Sequence, residues 1–201
     1  MANLFLTKLF EEFTYLNKVP KFQLERAISP LLGIFIKEII NIKFNVNATL
    51  SIPEFPLKKQ VSNQSTNIDW LLIDKKDVKF YFVELKIDKY SFDEEQLKSY
   101  VKIKDDLPSS INSLFLNIEK IRDFSNRPDK YQELINYLED DLGLIKTFTN
   151  LEIVYIIPSS IEKHLPDNIK RITFQNLPDI NHPVFNDEWL QLKNFLEEID
   201  L

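Results

Sequence analysis

The chain has 201 residues, is 44% hydrophobic and 28% charged, and carries a formal net charge of −6. That length can bury a full hydrophobic core in one domain, and the balance is ordinary for a globular protein. With no cysteine and only two glycines, Gly33 and Gly143, the sequence excludes disulfides, thiolate nucleophiles, Cys-based zinc sites, P-loops and dinucleotide fingerprints.

Taken in chain order, residues 3–16 space Leu4, Leu9, Phe10, Phe13 and Leu16 as an amphipathic helix. Pro20 punctuates it, and a second helical region starts near Lys21 and carries Glu25. Ser29-Pro30 predicts a kink or a fresh helix start, because serine caps and proline suits the first helical position. Leu31 to Ile42 continues as an almost wholly apolar, buried helix. Phe44 to Leu50 alternates in part and reads as a strand, and Pro53 and Pro56 flank a short extended segment. Residues 63–67 are polar and read as a loop.

Ile68 to Ile73 and Val78 to Ile87 are the two clearest strands, joined by the turn Asp74-Lys75-Lys76-Asp77. The second is apolar on both faces, as a central strand should be. Ser91-x-x-Glu94 is a capping box opening a helix to about Lys104. From Leu107 to Leu144 the pattern is helical, with Ile111, Leu114, Phe115 and Ile118 before Pro128, and Tyr131, Leu134, Ile135 and Leu138 after it. Glu152 to Ile157 is a buried strand ending at Pro158, Ile161 to Leu165 a helical turn, and Arg171 to Phe174 another strand. Trp189 to Leu196 forms the last helix. This order predicts a mixed α/β fold in a single domain over residues 1–201, with one central sheet flanked by helices and a helical insertion at about 107–149.

No apolar run is long enough to span a membrane, and no leader segment opens the chain, so a cytoplasmic protein is expected. His164 and His182 stand far apart and read as surface or loop residues. Charge is uneven: residues 1–104 hold 16 Lys and Arg against 13 Asp and Glu, whereas residues 105–201 hold 9 against 18. The first half therefore tolerates a phosphate partner, and the acidic second half suits a protein partner.

The chemistry concentrates in the hairpin. With a tight two-residue turn, Asp74 faces Asp77 and Asp69 faces Phe82; Glu84 and Lys86 share the Phe82 face because side chains alternate. Asp69 and Glu84 then become diagonal neighbours about 7–8 Å apart, close enough to converge on one Mg²⁺. A metal held by carboxylates binds a phosphodiester and lowers the pKa of its water, and Lys86 beside it can orient that water or neutralise charge. The bland account of Glu84 and Lys86 is an ion pair at a sheet edge. Asp74–Lys76 and Asp77–Lys79 also spell Asp-x-Lys, but as solvated charge in a turn. Lys58, Lys59, Lys89, Lys98, Lys102 and Lys104 could line a phosphate path, although scattered surface lysine is the plainer account.

An acidic residue on one strand followed by Glu-x-Lys on the next resembles the PD-(D/E)XK nuclease superfamily, here through Asp69, Glu84 and Lys86. Ile68 stands where the family name has proline. Gln96-Leu97-Lys98-Ser99-Tyr100 is similar to the Gln-x-x-x-Tyr motif of its RecB-like branch, and Glu25 matches an upstream helical glutamate. The resemblance covers about half the chain. It implies a restriction-endonuclease-like αβββαβ core and a Mg²⁺- or Mn²⁺-dependent nuclease acting on DNA in restriction, phage defence, recombination or repair. It also implies metal held by Asp69, Glu84 and Glu25, catalysis by Lys86 with Gln96, and nucleic-acid contact by Gln96 and Tyr100. RNA is the alternative substrate, and a homodimer would suit double-strand cleavage. The alternative function is a catalytically silent module that binds nucleic acid or a protein.

Overall fold

A computed structural model describes residues 4–19, 22–58, 65–106, 109–145 and 150–200, and their side chains except at 58, 65, 109–116 and 139–145. Pro20, Lys21, Lys59, Asn63, Gln64 and Leu107 lie outside the described residues, as do the side chains of Lys58, Ile111, Leu114, Phe115 and Leu144.

The protein is mixed α/β. Helices α1 (Leu4–Leu16), α2 (Leu24–Gly33) and α3 (Ile36–Phe44) precede strands β1 (Leu50–Lys58), β2 (Ser65–Asp74) and β3 (Lys79–Leu85). Helices α4 (Glu94–Asp105), α5 (Ser109–Phe124) and α6 (Pro128–Ile145) follow, then β4 (Asn150–Ile157), β5 (Lys170–Thr173) and α7 (Asn186–Ile199). Short 3-10 helices occupy Ser159–His164 and Phe174–Asn176. The strands form one five-stranded sheet in the order β1-β2-β3-β4-β5. It is mixed: β1–β2 and β2–β3 pair antiparallel, and β4–β5 pair parallel.

Two compact units make up the chain. One comprises residues 1–46, 84–93 and 154–201; the other comprises 47–83 and 94–153.

In the first unit, Leu24, Ile28 and Leu32 of α2 and Ile36, Ile39 and Ile40 of α3 are buried at helical spacing. Phe10 of α1 stacks on Phe195 of α7 with ring centroids 4.7 Å apart, and Phe35 packs on Trp189 at 5.0 Å. Tyr155, Ile156 and Ile172 bury the parallel pair β4–β5. His182 packs edge-on against Phe35, and its Nδ1 accepts the backbone N–H groups of Val184 and Phe185 at 3.2 and 3.0 Å. That imidazole is a loop organiser.

The helical region departs from expectation in two places. Pro30 lies inside α2 instead of starting a helix. Its exposed position lets water satisfy the carbonyl that loses its N–H partner, which makes an interior proline tolerable. The break falls instead between Gly33 and Ile36, and Ile34 and Ile42 are exposed rather than buried. Phe44 also belongs to α3, not to a strand. The helix ends on Asn45 in the left-handed region at φ 52°, a cap conformation that asparagine tolerates.

In the second unit, β1 contains both Pro53 and Pro56, and β2 already begins at Ser65, so residues 65–67 are strand and not loop. Proline is admissible because β1 is an edge strand. The hairpin between β2 and β3 pairs Asp74 with Lys79, so four residues separate the strands instead of two. Phe82 therefore faces Leu71, and the expected pairing of Asp69 with Phe82 does not occur.

The turn explains the difference. Asp74 is buried, and its carboxylate accepts N–H groups from Lys76, Asp77 and Asn47 at 3.0, 3.1 and 2.9 Å. This is an Asx-type organiser rather than a solvated charge. Val78 completes the turn at φ 52°. Helix α6 opens with Pro128 at its first position, and α5 packs on both α6 and β1.

Candidate active site

In the first unit the site grows from the end of β3 and the first turn of α2. Side chains two apart on a strand share a face, so Glu84 and Lys86 point the same way. Lys86 Nζ lies 3.2 Å from Glu84 Oε2 and 3.6 Å from Glu25 Oε1. The side chains of Glu84 and Lys86 are only 1% and 7% exposed, whereas Glu25 is 26% exposed. The Lys86 backbone N–H donates to the Ile156 carbonyl at 2.9 Å, and β3 runs inside the sheet. A surface ion pair at a sheet edge is therefore the wrong description.

Burial pushes the Glu25 carboxyl above the usual carboxylate range, and the charge of nearby Asp88 adds to the rise. Attraction to Lys86 and hydrogen bonding from Ser91 and Lys86 oppose it without cancelling it. Oε2 of Glu25 is buried and has no hydrogen-bond partner among the described residues. A carboxylate held in this way is strained electrostatically, the condition in which such groups serve as ligands or proton carriers.

The turn after β3 was not foreseen. Asp88 Oδ1 accepts the N–H groups of Tyr90 and Ser91, each at 2.8 Å, while Ser91 Oγ donates to the Asp88 carbonyl at 2.8 Å. Ser91 serves this turn rather than a capping box; helix α4 begins three residues later, at Glu94. Asp-x-x-Ser after a strand is the local signal that could have revealed it.

In the second unit the Gln-x-x-x-Tyr residues meet. Gln96 Nε2 donates to Tyr100 Oη at 2.8 Å, one helical turn away on α4. The Tyr100 hydroxyl donates to the Asn67 carbonyl at 3.4 Å, and Gln96 Nε2 lies 3.5 Å from the same oxygen. The Tyr100 ring is fully buried, edge-on to Phe82 with centroids 5.5 Å apart. Gln96, by contrast, is half-buried and keeps surface to offer. Asp69 is half-buried on β2, one residue before Trp70, which pairs with Val83.

Two of the lysines considered for a phosphate path are engaged: Lys98 pairs with Glu95 at 2.6 Å and Lys104 with Glu152 at 3.3 Å. Among the described residues, no group of three His, Cys, Asp or Glu side chains is arranged to hold a metal ion. The donors gathered around Lys86 are nevertheless hard oxygens, and Mg²⁺ is commonly held by one or two carboxylates with water completing the shell. The unpartnered Oε2 of Glu25 fits that role. No helix among the described residues is long and apolar enough to cross a membrane.

No family model, curated protein or solved structure matches this chain.

Proposed function

We propose that the protein is a metal-dependent nuclease with a restriction-endonuclease-like core, hydrolysing phosphodiester bonds in DNA. The observation that carries this reading is Lys86 Nζ placed 3.2 Å from Glu84 and 3.6 Å from Glu25 in a nearly dry setting. A buried lysine held between two carboxylates, one of them raised in pKa by burial, is a charge cluster rather than a packing element. The order of helix, three strands, helix and strand, with α5 and α6 ahead of β4, suits the same reading.

Glu84 and Glu25 are the residues that would hold Mg²⁺ or Mn²⁺, with water completing the shell. When bound, such an ion supplies charge neutralisation for the phosphate and an acidified water. Glu84 fixes the Lys86 ammonium by their short contact, so the cation faces the reacting phosphate without reorganising. Burial of both groups excludes bulk water and strengthens that interaction. Gln96, steadied by Tyr100, offers an amide to the substrate.

A second reading has its own observation. Lys86 already lies within reach of both acids, and such a compensated triad also suits a silent nuclease-fold module that binds nucleic acid or protein.

The test is cleavage of labelled single- and double-stranded DNA and RNA with Mg²⁺ or Mn²⁺, beside Glu25→Gln and Lys86→Arg. Cleavage that needs metal and is lost in both variants supports the nuclease. Absence of cleavage together with absence of Mn²⁺ binding by calorimetry would leave the silent module.

A further inference from the structure

Beside the Glu25 carboxylate lies a cavity of about 370 Å³, within the size range of small-ligand pockets. Its wall includes Asn17, Phe22, Gln23, Arg26, Ile87 and Tyr90. The side chains of Asn17, Gln23 and Arg26 hold no hydrogen bond or ion pair among the described residues. Two amides and a guanidinium thus line this recess beside apolar Phe22 and Ile87.

Tyr90 is held out by the Asp88 turn and is 85% exposed. Lys89 Nζ stands 5.0 Å from the ring centroid, over one face. A lone exposed tyrosine is unremarkable on a protein surface. Here it is fixed by a backbone turn, paired with a cation and set at the mouth of a polar-rimmed cavity. Those are the parts with which proteins take up unpaired bases: an aromatic face for stacking, amides for the base edge and cations for the phosphate.

We infer that this cavity receives an unpaired nucleobase of a single-stranded nucleic acid, stacked on Tyr90 beside the Glu25–Lys86 cluster. Asn17 and Gln23 read its polar edge, and Arg26 with Lys89 holds the flanking phosphates. A base inside a duplex has both faces stacked and cannot enter without being flipped out. The inference rests on the nucleic-acid reading above and deepens it to strand preference: single strands, or frayed ends, over intact duplex.

The test uses the full chain and a single-stranded oligodeoxynucleotide carrying one 2-aminopurine, titrated without metal and again with Ca²⁺, alongside the matching duplex. Wild type and Tyr90→Phe should quench the probe on binding, and both should bind single strand more tightly than duplex. Tyr90→Ala should lose the quench and bind about 5- to 150-fold more weakly, the range expected for one stacked base. Equal affinity and quench in Tyr90→Ala, preference for duplex, or no quench in wild type would each overturn the inference. Because nothing is cleaved in this assay, the two ideas fail separately. A protein that stacks the probe but never cuts loses the nuclease reading alone. One that cuts single strands equally well as Tyr90→Ala loses only the cavity.

Discussion

Lys86, directly after β3, and Glu25 on α2, far apart in the chain, meet at 3.6 Å with the lysine almost fully buried. A buried ammonium is costly unless its charge is answered, so the contact binds helix and strand into one electrostatic unit. Removing the cation exposes how much the acids depend on it. Lys86→Met is expected to destabilise the protein by about 3–5 kcal/mol, because the buried Glu84 carboxylate loses its ammonium neighbour at 3.2 Å. Urea unfolding of Lys86→Met and of Lys86→Met with Glu84→Gln checks this; the double variant should recover much of the loss.

Glu25 carries the opposite sign. Its folded pKa is raised, so the folded state binds that proton more tightly than the unfolded chain. The resulting stability is complete below the ordinary value of 4.5 and is lost as pH rises through the folded pKa. Glu25→Gln should therefore be at least as stable as wild type near neutral pH, while losing metal-dependent cleavage. Thermal unfolding on both sides of that window tests it: a variant clearly less stable than wild type near neutrality would contradict the sign.

Tyr100 offers a cleaner separation of packing from contact. Its ring is buried and its hydroxyl serves Gln96 and the Asn67 carbonyl. Tyr100→Phe should cost about 0.5–1.5 kcal/mol in stability, the worth of one hydrogen bond. DNA affinity should change little, whereas Gln96→Ala should weaken it with small loss of stability. Calorimetric unfolding and a binding titration of both variants decide between the roles.

Tyr81 is a buried tyrosine whose hydroxyl has no hydrogen-bond partner among the described residues. Burial first, then the charges of Asp74, Glu152 and Asp77, pushes its pKa up to about 12. The unfolded chain ionises nearer 10, so stability should fall as pH rises from that value towards 12. Tyr81→Phe should remove this alkaline slope and raise stability by about 1 kcal/mol, since no hydrogen bond is lost. Unfolding measured at neutral and alkaline pH provides the check.

Val78 holds φ 52° in the β2–β3 turn, a conformation that is a genuine outlier for a β-branched residue. Val78→Gly should stabilise the hairpin by about 1 kcal/mol through release of that strain, partly offset by chain entropy. A rise in the urea midpoint without change of slope would show it.

The same valine shows where the sequence stopped being legible. The strands themselves were plain, because Leu71, Leu72 and Ile73 and the run from Phe80 to Val83 are apolar enough to leave no alternative. Their register was not. It depends on Asp74 satisfying three backbone N–H groups and on a valine accepting positive φ, neither of which propensity foretells. The boundary at Phe44 failed for a related reason. Apolar alternation continued past the point where Asn45 turned the chain left-handed, and periodicity alone cannot see a cap.

Of the candidate site, Glu84 with Lys86 was readable from the two-residue strand period, and Gln96 with Tyr100 from the helical one. Glu25 was named from resemblance, and its contact with Lys86 is tertiary. Asp88, Arg26 and Tyr90 went unnoticed, since an Asx turn and a cavity rim leave little periodic trace in a sequence.

Strand β1 carries one more implication. Pro53 and Pro56 deprive it of two N–H donors, and Glu54 between them sits at φ 50°. A rim so interrupted makes a poor template for an incoming strand. Self-association by sheet extension, whether in an orderly pair or a growing fibril, is thereby discouraged along this border, and any second copy would have to be met elsewhere.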